Sequence, residues 1–258
     1  MNVTLDETLI ATVRDGALTA GEAIMAIYAT DFEVIQKSDE SPVTAADKAA
    51  EAIITPILKS IAPSIPVVAE EAFSEGQVPD ISGGTFWLVD PLDGTKQFIT
   101  KKGEFTVNIA LIVDRRPVFG VVHAPALNQT YVGGPQGATL AKNGEPAQVI
   151  KCRPAPSAGI VAVASRSHRT PEVDTFLADY AVAEEISSGS SIKFCLVASG
   201  RADLYPRFGR TMEWDTAAGH AVLSAAGGTV KNIDGTDFLY AKDGFANPGF
   251  IARGIGVA

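Results

Sequence analysis

The chain has 258 residues, of which 46% are hydrophobic, enough to bury one large core or two closely joined ones. Its formal net charge of -9 argues against a protein whose main task is binding nucleic acid through phosphate contacts. Because no basic leader and no long apolar block follow Met1, we expect a cytoplasmic protein without a transmembrane segment, and a peripheral position at the inner membrane is left open.

Two helices and a strand are predicted in the first part of the chain. Apolar residues recur at helical spacing between residues 6 and 28, which predicts a helix interrupted near Gly16. A second helix is predicted to begin at Thr44, whose hydroxyl can cap it, and to end before Pro63. The short apolar run 65–69 then predicts a strand.

The next apolar run leads into a turn rich in carboxylates. Residues 86–89 deliver Asp90 to the end of a strand, and Pro91 is expected to stop that strand because it has no N–H to donate. Asp93-Gly94 predicts a tight turn ahead of a helical stretch at residues 95–99. This turn brings two carboxylates and several backbone polar groups into one small volume.

The remaining pattern predicts a hairpin followed by alternating strands and helices. The hairpin joins residues 105–113 to 117–123. Alternation in the second half suggests an α/β layer. Its predicted elements are a strand at 159–165, helices at 171–180 and 190–199, a strand at 202–205 and a helix at 215–226. Prolines near residue 155 suggest a division into an N-terminal α+β subdomain, residues 1–152, and a C-terminal α/β subdomain, residues 153–258.

Three acidic motifs lie at predicted strand ends or helix starts: Glu70-Glu71, the turn from Asp90 to Asp93, and Asp215. Each alone has an ordinary explanation, as a solvated surface pair, a turn and a helix cap respectively. Their conjunction favours a metal site, and oxygen ligands favour Mg2+. Zinc is disfavoured because the two cysteines lack CxxC spacing and the three histidines are scattered.

These motifs resemble those of the inositol monophosphatase superfamily of Mg2+-dependent, lithium-sensitive phosphatases, and the resemblance extends over nearly the whole chain. The motifs are Glu70-Glu71, the segment from Trp87 to Thr95, and the segment from Trp214 to Gly219. Within the superfamily, the stretches 41–47, 103–112, 188–197 and 204–209 are similar to CysQ-type 3'(2'),5'-bisphosphate nucleotidases. The resemblance implies an α/β fold, the layered αβαβα sandwich of the sugar phosphatases.

The resemblance also implies two Mg2+ positions, with a third, looser one left open. The first would be held by Glu70, Asp90 and the Leu92 carbonyl, and the second by Asp90, Asp93 and Asp215. Glu71 would support these ligands or a third metal. A water molecule activated by the metal would attack the phosphorus, with catalytic roles for Glu70, Asp47 and Thr95. Asp47 has an alternative role as a carboxylate in the first turn of its helix.

Substrate recognition is assigned, again by resemblance, to backbone amides and to basic side chains of the second half. The substrate-binding set is Asp93, Gly94, Thr95, Ser190, Lys193, Arg207 and Asp215. Arg207 stands where inositol phosphatases typically have an acidic residue, and an arginine suits a second phosphate better than a hydroxyl. The alternatives are a solvated helix lysine for Lys193 and a structural ion pair for Arg207.

The leading hypothesis is hydrolysis of adenosine 3',5'-bisphosphate to AMP and phosphate, a step that relieves product accumulation in sulfate assimilation. An inositol monophosphatase, or less favourably a fructose bisphosphatase, is the alternative within enzymes. An RNA- or protein-binding regulatory role is the alternative from another class, although the acidic balance disfavours nucleic acid. We expect lithium inhibition, leave a homodimer open, and interpret His123 and His168 as structural or peripheral.

Overall fold

The computed structural model describes residues 4–30, 34–36 and 42–257, with the backbone alone described for residues 34–36 and 42–44. The predicted capping hydroxyl of Thr44 and the first residues of the 41–47 motif lie outside the described side chains. Two short strands, β1 (Val34–Gln36) and β2 (Pro42–Thr44), pair antiparallel and lead into the second helix.

Helices α1 (Glu7–Tyr28) and α2 (Ala45–Ile61) pack together at the start of the fold. The Asp6 carboxylate accepts a hydrogen bond from Leu9 N at 2.8 Å and caps α1, as expected for a helix start. The predicted interruption at Gly16 is wrong, because α1 is continuous. Gly16 marks close packing, since a Cβ there would lie 3.1 Å from Ile57 Cδ1. In the described part of the chain, no helix is long and apolar enough to cross a bilayer.

A seven-stranded sheet forms the first large layer, with strands in sequence order and antiparallel except for the first pair. It carries the predicted hairpin. Its strands are β3 (Val67–Ala69), β4 (Thr85–Asp93), β5 (Thr106–Val113), β6 (Arg116–Ala124), β7 (Gln129–Gly134), β8 (Gly137–Lys142) and β9 (Gln148–Ile150). Two short helices lie in the connections between its strands, α3 (Glu70–Ser74) after β3 and α4 (Thr95–Ile99) after β4.

A five-stranded sheet in the order β11-β10-β12-β16-β14 forms the second large layer. Strands β13 and β15 pair in a separate two-stranded sheet. The strands are β10 (Ile160–Ser165), β11 (Val182–Ser188), β12 (Leu204–Arg207), β13 (Thr211–Met212), β14 (Thr229–Asn232), β15 (Ala246–Asn247) and β16 (Phe250–Arg253). The helices of this half are α5 (Pro171–Leu177), α6 (Ile192–Ala198) and α7 (Glu213–Ala225). The alternating pattern did not reveal β11, a largely exposed and polar edge strand.

Buried side chains join these elements into alternating layers of helices and sheets. Helices α1 and α2 pack on one face of the seven-stranded sheet, in a core that includes Trp87. Helices α6 and α7 lie between the two sheets, in a core that includes Phe86 and Phe194. Helix α5 covers the far face of the second sheet through Val173. The αβαβα sandwich predicted from the sequence is therefore confirmed, whereas the division at residue 152 remains a prediction.

Helix α7 approaches the seven-stranded sheet most closely over two glycines. Gly120 on β6 lies opposite Gly133 on β7. A Cβ on Gly120 would lie 2.6 Å from Ala218 O, and one on Gly133 would lie 2.4 Å from Val222 Cα. Any side chain on either strand here would overlap the helix backbone. The two glycines therefore set the depth at which α7, with Asp215 in its first turn, lies on the sheet.

Candidate active site

Asp90 and Asp93 stand on either side of a β-bulge in β4. Asp90 lies opposite Asn108 on β5, and Asp93 lies opposite Thr106, so β4 carries one residue more than its partner between the two pairs. The prediction that Pro91 ends the strand is wrong, because β4 continues to Asp93. A bulge tolerates a residue that cannot donate to the ladder, and it turns both carboxylates toward the same end of the sheet.

The turn after the bulge keeps its predicted form. Gly94 has φ 97° and ψ 37°, a left-handed conformation that favours glycine, and the helix begins at Thr95 as predicted. The amide of Leu92 donates to Asp90 Oδ1 at 3.0 Å, while the Thr95 hydroxyl lies 3.4 Å from the Leu92 carbonyl oxygen. These local bonds fix the direction of the Asp90 carboxylate and of the Leu92 carbonyl.

Asp90 is the centre of a group of acidic side chains drawn from four elements. It is 1% exposed, and burial raises its pKa well above the ordinary value. Nearby negative charges raise it further. In order of effect they belong to Glu70, Asp93, Asp215 and Asp47. Carboxylates that oppose one another in a dry site can all stay ionised only if a cation neutralises them.

Glu70 reaches this group from the first turn of α3, and the carboxylate of Glu51 on α2 positions that turn. Glu51 accepts hydrogen bonds from Glu71 N at 2.9 Å and Ala72 N at 3.0 Å. Burial raises the pKa of Glu51. Glu51 was not predicted as a site residue, although it lies one helical turn after Asp47 and therefore on the same helix face.

Asp215 reaches the group from the opposite layer, in the first turn of α7. Its Oδ2 accepts a hydrogen bond from Met212 N at 2.8 Å, so this carboxylate does stabilise the helix start. Burial raises its pKa well above the usual value, and the charges of Asp93 and Glu70 add to that effect. The capping role and a place in the acidic group therefore belong to the same side chain.

A hydrogen-bond network ties Asp93 to the loop before α6. The amide of Ser191 donates to Asp93 Oδ2 at 2.5 Å. The Ser191 hydroxyl donates to Asn108 Oδ1 at 2.7 Å and lies 2.9 Å from Thr106 Oγ1. Ser191 is 2% exposed, and it lines the cleft together with the predicted substrate residue Ser190. Ser191, which was not predicted as a site residue, joins the two halves of the chain at this point.

Two basic side chains face the acidic group across the cleft. Lys193 is 4% exposed, which excludes the solvated helix lysine considered above, and burial lowers its pKa to about 8. Arg207 is 8% exposed and donates to the carbonyls of Gly209 at 3.2 Å and Arg210 at 3.3 Å. His168, predicted to be peripheral, also lines the cleft. Burial lowers the pKa of His168, and the positive charges of Arg207 and two lysines lower it further.

One cleft of about 280 Å³ contains ten of the twelve predicted site residues. They are Glu70, Asp90, Leu92, Asp93, Gly94, Thr95, Ser190, Lys193, Arg207 and Asp215. Asp47 is not among the residues that line the cleft, but it is buried and close enough to Asp90 to raise the pKa of that carboxyl. Glu71 lines a neighbouring surface depression instead. The predicted residues are thus brought together from both halves of the chain.

The ligand chemistry and the charge of this cleft fit Mg2+. Carboxylates and a carbonyl are hard oxygen ligands, and their mutual repulsion is relieved by a divalent cation. Among the described residues, no three acidic, histidine or cysteine side chains are already arranged as a coordination site. One oxygen each of Asp90, Asp93 and Asp215 accepts a hydrogen bond from a backbone amide. The free cysteines Cys152 and Cys195 are both buried.

Comparison with known proteins gives one consistent family. The family model for the inositol monophosphatase family matches residues 5–253. The 3'(2'),5'-bisphosphate nucleotidase CysQ of Escherichia coli strain K12 is 46% identical, over 91% of this chain and 95% of that protein. The CysQ of Buchnera aphidicola is 39% identical, over 93% of this chain and 91% of that protein.

Solved structures agree with this result. The crystal structure of CysQ from Bacteroides thetaiotaomicron matches with a TM-score of 0.84 and 40% identity, covering 98% of this chain and 99% of that chain. An inositol monophosphatase from Zymomonas mobilis matches with a TM-score of 0.79 and 25% identity, covering 98% of this chain and 95% of that chain. Both matches extend over nearly the whole of this chain.

Proposed function

Because this chain belongs to the inositol monophosphatase family, we propose that it removes the 3'-phosphate from adenosine 3',5'-bisphosphate and produces AMP and phosphate. The chain is a phosphatase of the CysQ type. The proposal concerns which phosphorylated small molecule it uses. A cytoplasmic location and lithium inhibition remain expectations from the sequence, and a homodimer is left open.

One observation supports the bisphosphate most directly: two buried cations, Lys193 and Arg207, share a cleft with the acidic group. A monophosphate at the acidic end leaves these cations without an anion from the substrate. A second phosphate gives both of them a partner, and the guanidinium can bind it through two parallel N–H bonds. A substrate with two phosphates therefore matches the charge pattern at both ends.

Two Mg2+ ions are assigned to the acidic end. Glu70, Asp90 and the Leu92 carbonyl would hold one of them, and Asp90, Asp93 and Asp215 the other, with Glu71 supporting the ligands or a third ion. Bound Mg2+ supplies neutralisation of phosphate charge and an activated water nucleophile. The acidic group supports this assignment, because its members lie close enough to raise one another's pKa.

The chain's own groups are assigned to orienting the phosphate and the attacking water. Backbone N–H groups of Gly94 and Thr95, at the turn after the bulge, would orient the phosphoryl oxygens. The Thr95 hydroxyl and the buried Asp47 carboxylate would position the water and accept its proton. Ser190 and His168 line the same cleft, and their carbonyls accept hydrogen bonds from Lys193 and Arg207, so the nucleotide would lie against them.

Phosphate release from adenosine 3',5'-bisphosphate, inositol 1-phosphate and fructose 1,6-bisphosphate, each with and without Mg2+, tests the proposal. We expect strong preference for the nucleotide and no release after Mg2+ is chelated. Preference for inositol phosphate would retain the metal site and overturn the substrate assignment. Absence of Mg2+-dependent release from all three would favour the regulatory class, and a gel shift with RNA would then test that alternative.

Replacing Arg207 by glutamate should change which substrate the enzyme prefers. Arg207→Glu places a negative charge where the second phosphate is proposed to bind, so kcat/KM for adenosine 3',5'-bisphosphate should fall about 100-fold. Hydrolysis of inositol 1-phosphate should fall much less, because that substrate has no second phosphate. Arg207→Lys keeps the charge and serves as the matched control. Equal losses for the two substrates would argue against this role of Arg207.

A further inference from the structure

The loop Ser188–Ser191, called the Gly189 loop below, determines where Lys193 lies. Ser190 has φ 48°, a left-handed conformation that a serine seldom adopts unless its surroundings hold it. The Lys193 ammonium donates to the Ser190 carbonyl, so the position of this carbonyl fixes the end of the lysine side chain. Any movement of the loop would therefore move the charge of Lys193.

The side chain of Glu104, just before β5, holds this loop. Glu104 Oε2 accepts a hydrogen bond from Gly189 N at 3.0 Å. The same carboxylate forms a two-bond ion pair with Arg166, whose Nε lies 2.9 Å from Oε2 and whose Nη2 lies 2.8 Å from Oε1. Arg166 Nη2 also donates to the Ser187 carbonyl at 2.6 Å. The side chain of Glu104 is only 19% exposed, and its bonds connect the residues before β5 to the first half of the loop, directly at Gly189 and through Arg166 at Ser187.

The backbone of Glu104 lies between two loops of the cleft. A Cβ built on Gly94 would lie 2.9 Å from the Glu104 carbonyl oxygen, and so would one built on Gly189. The turn that follows Asp93 and the Gly189 loop therefore pack against the same peptide group. Glu104 is the residue at which the turn, the loop and β5 meet.

The two ends of the loop have different anchors. Ser191 is held by Asp93, Asn108 and Thr106, which belong to the acidic side of the cleft. Gly189 is held by Glu104. Loss of the Glu104 carboxylate would therefore release the Gly189–Ser190 half, and with it Lys193, while the contact between Ser191 and Asp93 remained.

We propose that Glu104 is a positioning residue for substrate recognition, which holds the Gly189 loop so that Lys193 faces the second phosphate of the substrate. The inference rests on the proposed function, because it concerns the phosphate that is not hydrolysed. It requires that Glu104 act through Gly189 and Ser190 and that it touch no substrate. Its removal should therefore weaken recognition of a bisphosphate more than it weakens phosphate release itself.

The test compares adenosine 3',5'-bisphosphate with adenosine 3'-monophosphate, which lacks only the second phosphate. For Glu104→Ala, KM for the bisphosphate should rise about tenfold with little change in kcat, as expected for the loss of a hydrogen bond to a charged group. Kinetic constants for the monophosphate should stay near those of the wild type. Glu104→Gln retains an acceptor for Gly189 N but loses the ion pair with Arg166, and it should recover only part of the loss.

Two further variants complete the experiment. Arg166→Met removes the other partner of the ion pair and should also raise KM for the bisphosphate. This variant tests the same inference if Glu104→Ala does not fold. Glu185→Ala removes an exposed carboxylate that pairs with Arg169 outside this loop and should leave both substrates unaffected. Equal losses of activity on the two substrates would overturn the inference. A wild-type enzyme without preference for the bisphosphate would overturn the proposed function as well.

Discussion

Asp90→Asn should reduce Mg2+-dependent phosphate release by about 1000-fold or more, an effect at least as large as the loss of one preorganised electrostatic group in other enzymes. Asp90 is assigned to both Mg2+ positions, so the substitution removes one charge from each. Volume and local geometry are almost unchanged, because an asparagine Oδ1 can still accept the hydrogen bond from Leu92 N. Initial rates at saturating Mg2+ measure the loss, and the exposed Asp179→Asn is the control.

The same variant should be more stable than the wild type when Mg2+ is absent. The folded protein raises the pKa of Asp90, so ionisation of this carboxylate destabilises the fold as pH rises above the ordinary value for aspartate. Asparagine removes that effect. Each kcal/mol gained in the free energy of unfolding should raise Tm by about 2–4 °C at pH 7.5. The difference in Tm between the variant and the wild type should become smaller toward pH 5. Wild-type turnover, or a lower Tm in the metal-free protein, would contradict the assignment of Asp90.

The local elements of the site were predictable because residues adjacent in the sequence determine them. The apolar run before Asp90, the left-handed Gly94 and the helix start at Thr95 are each determined by neighbouring residues. The layered fold was predictable from the family resemblance. In contrast, the bulge at Pro91 was not, because the pairing of β4 with β5 decides whether a proline ends a strand or is absorbed into it.

The residues that support the site could not be found from sequence, because their partners are far away along the chain. Glu51 accepts from amides that lie 20 and 21 residues later, and Ser191 donates to Asp93, 98 residues earlier. Glu104 and Gly189 are 85 residues apart. Glu51 shares a helix face with Asp47, but that spacing does not identify the amides it binds, and Ser191 and Gly189 have no local pattern that indicates their contacts. Only the three-dimensional structure separates these residues from ordinary surface positions.

The close approach of α7 to the sheet gives a second large effect, this time on stability. Gly133→Ala should destabilise the protein by about 1–3 kcal/mol, the usual range for an overpacked core. The added Cβ would lie 2.4 Å from Val222 Cα and 2.8 Å from Val222 N, and backbone atoms of a helix cannot rotate away. The sheet or α7 must shift. Thermal unfolding measures the loss, with Gly83→Ala as the control, because a Cβ there meets nothing within 4 Å.

The overlap with backbone atoms makes this prediction sharper than an ordinary packing argument. If the Val222 side chain caused the crowding, Val222→Ala would rescue Gly133→Ala. Because the crowded atoms are Cα and N, the double variant should be less stable than either single variant. Activity should fall along with stability, since a displaced α7 carries Asp215 away from Asp93 and Glu70. Rescue by Val222→Ala, or full activity in Gly133→Ala, would show that α7 does not depend on this contact for its position.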